Sequence, residues 1–198
     1  MSVGERSEAI RDISSLAIRI PREREDIAHP LLSRLLVDGK PVNTLIVSPP
    51  GGGKTTLLRD LVRLLSDGSE LSAPLRVSLV DERGEIAAMH RGVAQLSVGS
   101  HTDVMDACPK NLAVPMLLRS MTPQVIALDE IAQQRDVEAL YAASKCGVIL
   151  LATVHASSLE ELRQRQSLNE LLESGIFDRA ILISGQGRKR SYHVEVLQ

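Results

Sequence analysis

Residues 48–56 read SPPGGGKTT and bring together the residue types that hold phosphate, in the order that a phosphate loop uses them. Gly51, Gly52 and Gly53 can adopt backbone conformations closed to other residues and turn their N–H groups toward one anion. Lys54 is spaced to reach the β- and γ-phosphates of a nucleoside triphosphate, and Thr55 Oγ to ligate Mg²⁺. Thr56 continues the same helical turn, whose N-terminus adds partial positive charge. The pattern is G-x-x-x-x-G-K-S/T with one departure, since Ser48 stands at the first position. Serine is small enough for that turn if its φ is negative, and Pro49 and Pro50 stiffen the chain beyond it. Ser48, Pro50, Gly51, Gly52, Gly53, Lys54, Thr55 and Thr56 are therefore the expected nucleotide contacts.

Binding phosphate is not hydrolysing it. Hydrolysis needs a metal ligand and a group that activates water, and VIALDE at 125–130 offers both at the end of an apolar run. Asp129 is expected to hold Mg²⁺ together with Thr55, and Glu130 to orient and deprotonate the attacking water. Two further polar strand ends follow the rule that open α/β sheets bind ligands at the carboxyl ends of their strands. LVDERGE places Asp81 and Glu82 at one, and LLATVHASS places Thr153 and His155 at another. By position alone, a surface charge cluster and a satisfied histidine explain these equally well. Arg83, Arg119 and Arg135 lie near motif ends, where an arginine can act as a finger or sensor, although a surface salt bridge is the commoner role. The tail GQGRKRSY reads as a solvated turn.

These groups need a scaffold that aims them at one point. Apolar runs at 42–48, 75–81, 124–130, 147–155 and 179–185 alternate with helical periodicity at 54–66, 136–145 and 158–173. Continuous apolar strands alternating with helices predict the α/β class, a largely parallel sheet with helices on both faces. Ser157 and Ser158 are each followed three residues later by glutamate, a capping-box signal for the last helix. Upstream, IAHPLLSRLLVDGK reads as a helix closed by Gly39, and Ile10, Ile13, Leu16, Ile18 and Ile20 suggest short strands. The division is a leading segment over 1–40 and the nucleotide-binding domain over 41–198.

Composition narrows the partners. The net charge of −2 and an aromatic content of 2% argue against a nucleic-acid-dependent enzyme and against a base-stacking platform. Cys108 and Cys146 belong to no metal-binding pattern and read as reduced, buried thiols. No apolar stretch has the length that spans a bilayer, so a cytoplasmic protein is expected.

Taken in order, the phosphate loop, VDERGE, LRSMTPQVIALDEI and GVILLATVHASSLEEL resemble the Walker A, Asp box, Walker B and His box of type II and type IV secretion ATPases. ISSLAIRIPRE, TDVMDACPK and SSLEELRQR bring the chain closer still to the stage III sporulation protein AA family. The resemblance implies a RecA-like fold with the His-box strand between the Walker A and Walker B strands. It implies ATP and Mg²⁺ as ligands, Thr153 and His155 as sensors beside the γ-phosphate, and Asp81 and Glu82 as an acidic pair that positions water or metal. It further implies a homohexamer that docks on membrane-embedded sporulation channel proteins from the mother-cell cytoplasm. In the related secretion ATPases an N-terminal domain donates arginines to the site, and the resemblance implies that residues 1–40 hold only the last strands of such a domain and a connecting helix.

Overall fold

The computed structural model describes residues 14–15, 24–185 and 187–197. Each of the five apolar runs becomes a strand: β3 (Thr44–Ser48), β4 (Val77–Asp81), β6 (Val125–Leu128), β7 (Ile149–His155) and β8 (Arg179–Ser184). All five are mutually parallel where they pair. Two strands that the apolar runs do not announce, β5 (Thr102–Asp106) and β9 (Ser191–Val196), form the sheet edges, β9 running antiparallel to β8. The order is β5-β4-β6-β7-β3-β8-β9. Edge strand β9 alternates, with Tyr192, Val194 and Val196 between polar residues, as a strand with one covered face does, whereas β5 carries only Val104 and Met105 among polar residues.

β7 lies between β3 and β6, as expected of the His-box strand, and its register sets the site. Ser48 pairs with His155, and Leu128 with Ala152, which brings Asp129 level with Thr153. Helices α3 (Lys110–Ser120), α4 (Gln134–Ser144), α5 (Leu159–Arg163) and α6 (Gln166–Glu173) cover one sheet face around Leu117, Leu128, Leu140 and Leu162. Helix α2 (Lys54–Asp67) covers the other with Leu57, Leu58, Leu61 and Leu65, joined by Leu32 and Leu35 of α1 (Leu32–Leu35).

Several expectations need correction. The helix expected to end at Gly39 is a 3-10 turn (His29–Leu31) and the single turn α1; a small hairpin, β1 (Leu36–Val37) and β2 (Lys40–Pro41), follows. Asp38 (φ 50°) and Gly39 (φ 73°) make its two-residue turn, so Gly39 serves a hairpin and not a helix end. Helix α3 goes unannounced because Pro115 interrupts its pattern. The helix expected over 158–173 is two, α5 and α6, with a break at Gln164–Arg165, although Ser158 caps α5 through the Glu161 N–H as its spacing implies. Cys146 is exposed and Cys108 partly so; both are free thiols. The strands suggested by Ile10 to Ile20 lie outside the described residues.

The segment leading into the domain shares its core. Asp60 of α2, almost fully buried, accepts from the backbone N–H groups of Asp26 (3.1 Å) and Ala28 (2.8 Å) and is paired with Arg63.

Candidate nucleotide site

The loop between β3 and α2 owes its shape to its small residues. Gly51 (φ 75°) and Gly53 (φ 103°) occupy left-handed conformations, whereas Ser48 is not among the positive-φ residues. Serine at the first motif position thus meets the condition that its backbone imposes. Its hydroxyl donates to Pro49 O at 2.9 Å and fills the space where a Cβ on Gly52 would stand, so Gly52 must be glycine because residue 48 carries a side chain. The N–H of Gly52 donates to Pro49 O at 3.1 Å and closes the turn; it is engaged in the loop itself, unlike the expectation that all three glycine N–H groups face the anion.

Helix α2 starts at Gly53 with no side-chain cap and no acidic residue in its first turn. A helix start leaves backbone donors unsatisfied, and here nothing on the chain's side neutralises them. Lys54 is buried (5% exposed) and bends back along the loop. Its Nζ donates to Ser48 O (2.8 Å) and Pro49 O (3.3 Å) and meets His155 Nδ1 at 2.7 Å. Burial lowers the ammonium below its ordinary value, while the charges of Asp129 and Glu130 work in the opposite direction. A charged lysine can only donate, so His155 Nδ1 accepts and its proton sits on Nε2. That nitrogen lies 3.6 Å from Glu130 Oε1, and His155 bridges the loop lysine to the glutamate.

The acidic pair after β6 is held by side chains from two other elements. Thr153 Oγ1 donates to Asp129 Oδ1 (2.6 Å) and accepts from the Glu130 N–H (2.8 Å); the Thr153 carbonyl accepts from Ile131 N (2.8 Å). Thr55 Oγ1 donates to the second Asp129 oxygen at 3.4 Å, joining the helix start to the strand end. Glu130 takes φ 53°, a left-handed conformation that costs a non-glycine residue about 1–3 kcal/mol and persists only where neighbours over-determine it. Thr153 is that neighbour. It is fully buried and its hydroxyl donates to Asp129 and accepts from Glu130, so it positions the acidic pair.

Asp81 also departs from expectation. Its carboxylate, 1% exposed, accepts from the N–H groups of Glu85 (2.9 Å), Ile86 (3.0 Å) and Ala87 (2.9 Å). Arg59 of α2 holds the carbonyls of Glu85 and Ile86 from the other side. Asp81 therefore folds its own loop, Oδ1 taking one of the three N–H groups and Oδ2 the other two. Glu82 turns outward to an ion pair with the nearly buried Lys110 (2.7 Å). Both line a cleft shared with Arg83, Asp129, Glu130 and Arg135, beside the acidic pair.

Sequence comparison settles the affiliation. The family described as "Sporulation stage III, protein AA" matches residues 1–193. The chain belongs to that family. A relative, the stage III sporulation protein AA of Bacillus subtilis (strain 168), is 45% identical over 175 residues, which is 88% of this chain and 57% of the relative. The fold is the RecA-like one of solved secretion and pilus ATPases. The Legionella pneumophila ATPase DotB superposes with a TM-score of 0.59 at 17% identity, over 87% of this chain and 49% of that one. The pilus retraction motor PilT with bound ADP does so with a TM-score of 0.58 at 18% identity, over 92% and 55%. The chain thus spans about half the length of the relatives it matches.

Two contacts of the site are not named by the sequence: the partner of the Arg83 salt bridge and the reach of Arg190. Arg83 Nη1 donates to Glu130 Oε2 at 2.5 Å, tying the glutamate to the loop after β4. Arg190, from the tail expected to be a solvated turn, reaches the phosphate loop and donates to Gly51 O at 3.3 Å. Both follow from strand order, since β4 neighbours β6 and β8 neighbours β3. Among the described residues no helix is long and apolar enough to cross a membrane.

Proposed function

We propose that the chain is a Mg²⁺-dependent ATPase, the motor subunit that energises a secretion-like transenvelope channel complex during endospore formation. The observation that carries the reading is the uncapped, acid-free start of α2, faced by the Asp129–Glu130 pair through Thr55, Lys54 and His155. A glycine cradle without side chains, an inward lysine and a hydroxyl–carboxylate pair are the residues that fit a nucleotide phosphate chain and its metal. The Mg²⁺ would neutralise charge on the transferred phosphate. Thr55 and Asp129 would hold it, and Lys54 would leave its backbone acceptors to bind the β- and γ-phosphates. Glu130 would take the proton of the attacking water, with Thr153 fixing its backbone and His155 its carboxylate.

The family and the secretion-ATPase fold support a ring, with a homohexamer docked on membrane-embedded channel proteins at the mother-cell face. The chain itself would remain cytoplasmic and peripheral, with residues 1–40 as the end of a preceding domain. Nucleic acid has no part in this reading.

One observation favours a second reading, a nucleotide-dependent assembly scaffold with little turnover. Arg83 occupies one of the two carboxylate oxygens that Glu130 would turn to an attacking water. Comparing Mg-ATP hydrolysis by the wild type and Glu130→Gln separates the two. A motor loses about 10²–10⁴-fold in turnover and keeps its ATP affinity. Equal, residual rates in both proteins would leave the scaffold.

A further inference from the structure

The turn from β8 to β9 returns the chain to the phosphate loop. It is tightly built: Ser184 and Ser191 face each other with hydroxyls 2.7 Å apart, and Gly185 (φ 75°) leaves no room for a Cβ beside the Lys189 carbonyl. Arg190 emerges from this turn with its guanidinium laid against the glycines. Its Nη2 donates to Gly51 O at 3.3 Å, and its Cζ and Nη1 lie 2.8 Å from where a Cβ on Gly53 would stand. Its Nε is buried and has no hydrogen-bond partner among the described residues. No carboxylate among them pairs with it either.

That is an unusual state for an arginine. A guanidinium offers five donors in a fixed fork, and a buried donor left unpaired is costly. Among the described residues, one long bond to a carbonyl is the only one it makes. The fork matches phosphate oxygens, which can take two of its N–H groups at once. It rests against Gly53, whose side-chain-free backbone leaves it the space, and reaches the Gly51 carbonyl. We propose that Arg190 is a further phosphate-binding residue of this site, supplied by the same chain, which grips the terminal phosphates of a nucleoside di- or triphosphate. The proposal rests on the nucleotide reading above and adds to it a second cation, beside Lys54, from an element 139 residues away in sequence.

Calorimetric titration of the full chain with Mg-ATP, Mg-ADP and AMP tests this, using wild type, Arg190→Ala, Arg190→Lys and Lys54→Ala. Loss of a charge-assisted bond is expected to weaken Mg-ATP and Mg-ADP binding by roughly 10- to 100-fold in Arg190→Ala. AMP affinity should stay as it is, salt dependence should become shallower, and Arg190→Lys should recover part of the loss. If Arg190→Ala lowers the unfolding temperature, Arg190→Gln keeps the stem over Gly53 and carries the same expectation. Wild-type affinity in the Arg190 variants, with binding lost in Lys54→Ala, overturns the role of Arg190 and leaves the nucleotide reading intact. Tighter binding in Arg190→Ala, or equal loss for AMP, also overturns it. A wild type that binds none of the three ligands overturns both.

Discussion

Asp81–Glu82 ends β4 and Asp129–Glu130 ends β6, two strands that are hydrogen-bonded neighbours in the sheet. The two dipeptides are identical and each follows a fully buried apolar strand, yet their carboxylates do different work. Asp81 spends both oxygens on three backbone N–H groups of its own loop. Among the described residues Asp129 accepts only from the hydroxyls of Thr55 and Thr153, which belong to the phosphate-loop helix and to β7. The glutamates differ as well: Glu82 pairs with Lys110, while Glu130 stands between Arg83 and His155. The difference comes from what lies next in the sheet. β6 has β7 and then β3 beside it, whereas β4 has only the edge strand β5 on its far side. A carboxylate near the phosphate loop can serve chemistry; one farther off closes a turn.

Exchanging each aspartate for alanine is the sharpest way to break this contrast. Asp129→Ala should lower Mg-ATP hydrolysis by about 10²-fold or more, because several kcal/mol of metal-borne charge stabilisation depend on it. Its urea midpoint should stay near that of the wild type. Asp81→Ala should do the reverse, costing roughly 3–5 kcal/mol of stability by stranding three loop donors, with turnover per folded molecule retained. Similar stability losses in both, or a selective loss of turnover in Asp81→Ala, would erase the distinction.

Thr153→Val sharpens the account of how the β6 pair is held. The swap keeps the shape, removes the hydroxyl, and frees both Asp129 and the Glu130 backbone. A roughly tenfold fall in kcat with ATP affinity preserved is expected of a residue that positions a catalytic group, whose pair of hydrogen bonds is worth about 1–3 kcal/mol. A rise in KM alone would place Thr153 against the ligand.

A smaller effect concerns Lys54. Burial lowers its proton affinity in the folded state below the ordinary 10.5, so the unfolded chain holds more protons across the interval between the lowered value and 10.5. Wild-type stability from this group therefore improves as pH rises through that interval, where the cost of burying the charge is relieved. Lys54→Met should lose that rise and be at least as stable as the wild type at neutral pH, as read from urea unfolding between neutral and alkaline pH. A marked loss of stability at neutral pH would show that the hydrogen bonds to Ser48 and Pro49 outweigh the buried charge.

Much of this arrangement is legible in the sequence where neighbours along the chain do the work. The phosphate loop is one continuous stretch, and apolar runs of strand length mark the five parallel strands because both sheet faces are covered. Where the partner is distant, the residue type alone misleads. Asp81 and Asp129 look alike until the register places Thr153 beside one and a loop of N–H groups beside the other. Thr153 looks like a ligand contact until β7 is buried between its neighbours. Arg190 looks like part of a solvated turn until β8 pairs with β3. Helix α3 and strand β5 are hidden for local reasons, Pro115 in the first and a short, mostly polar run in the second.

The proposed function requires that the phosphate loop, with serine at its first position, binds Mg-ATP and that assembly completes the site for hydrolysis. Steady-state hydrolysis of Mg-ATP by the wild type and Lys54→Ala, over a wide range of protein concentration, tests it most directly. Turnover per chain that rises with concentration and disappears in Lys54→Ala is the expected result. Turnover that Lys54→Ala leaves unchanged, or no ATP binding by the wild type at any concentration, would contradict it.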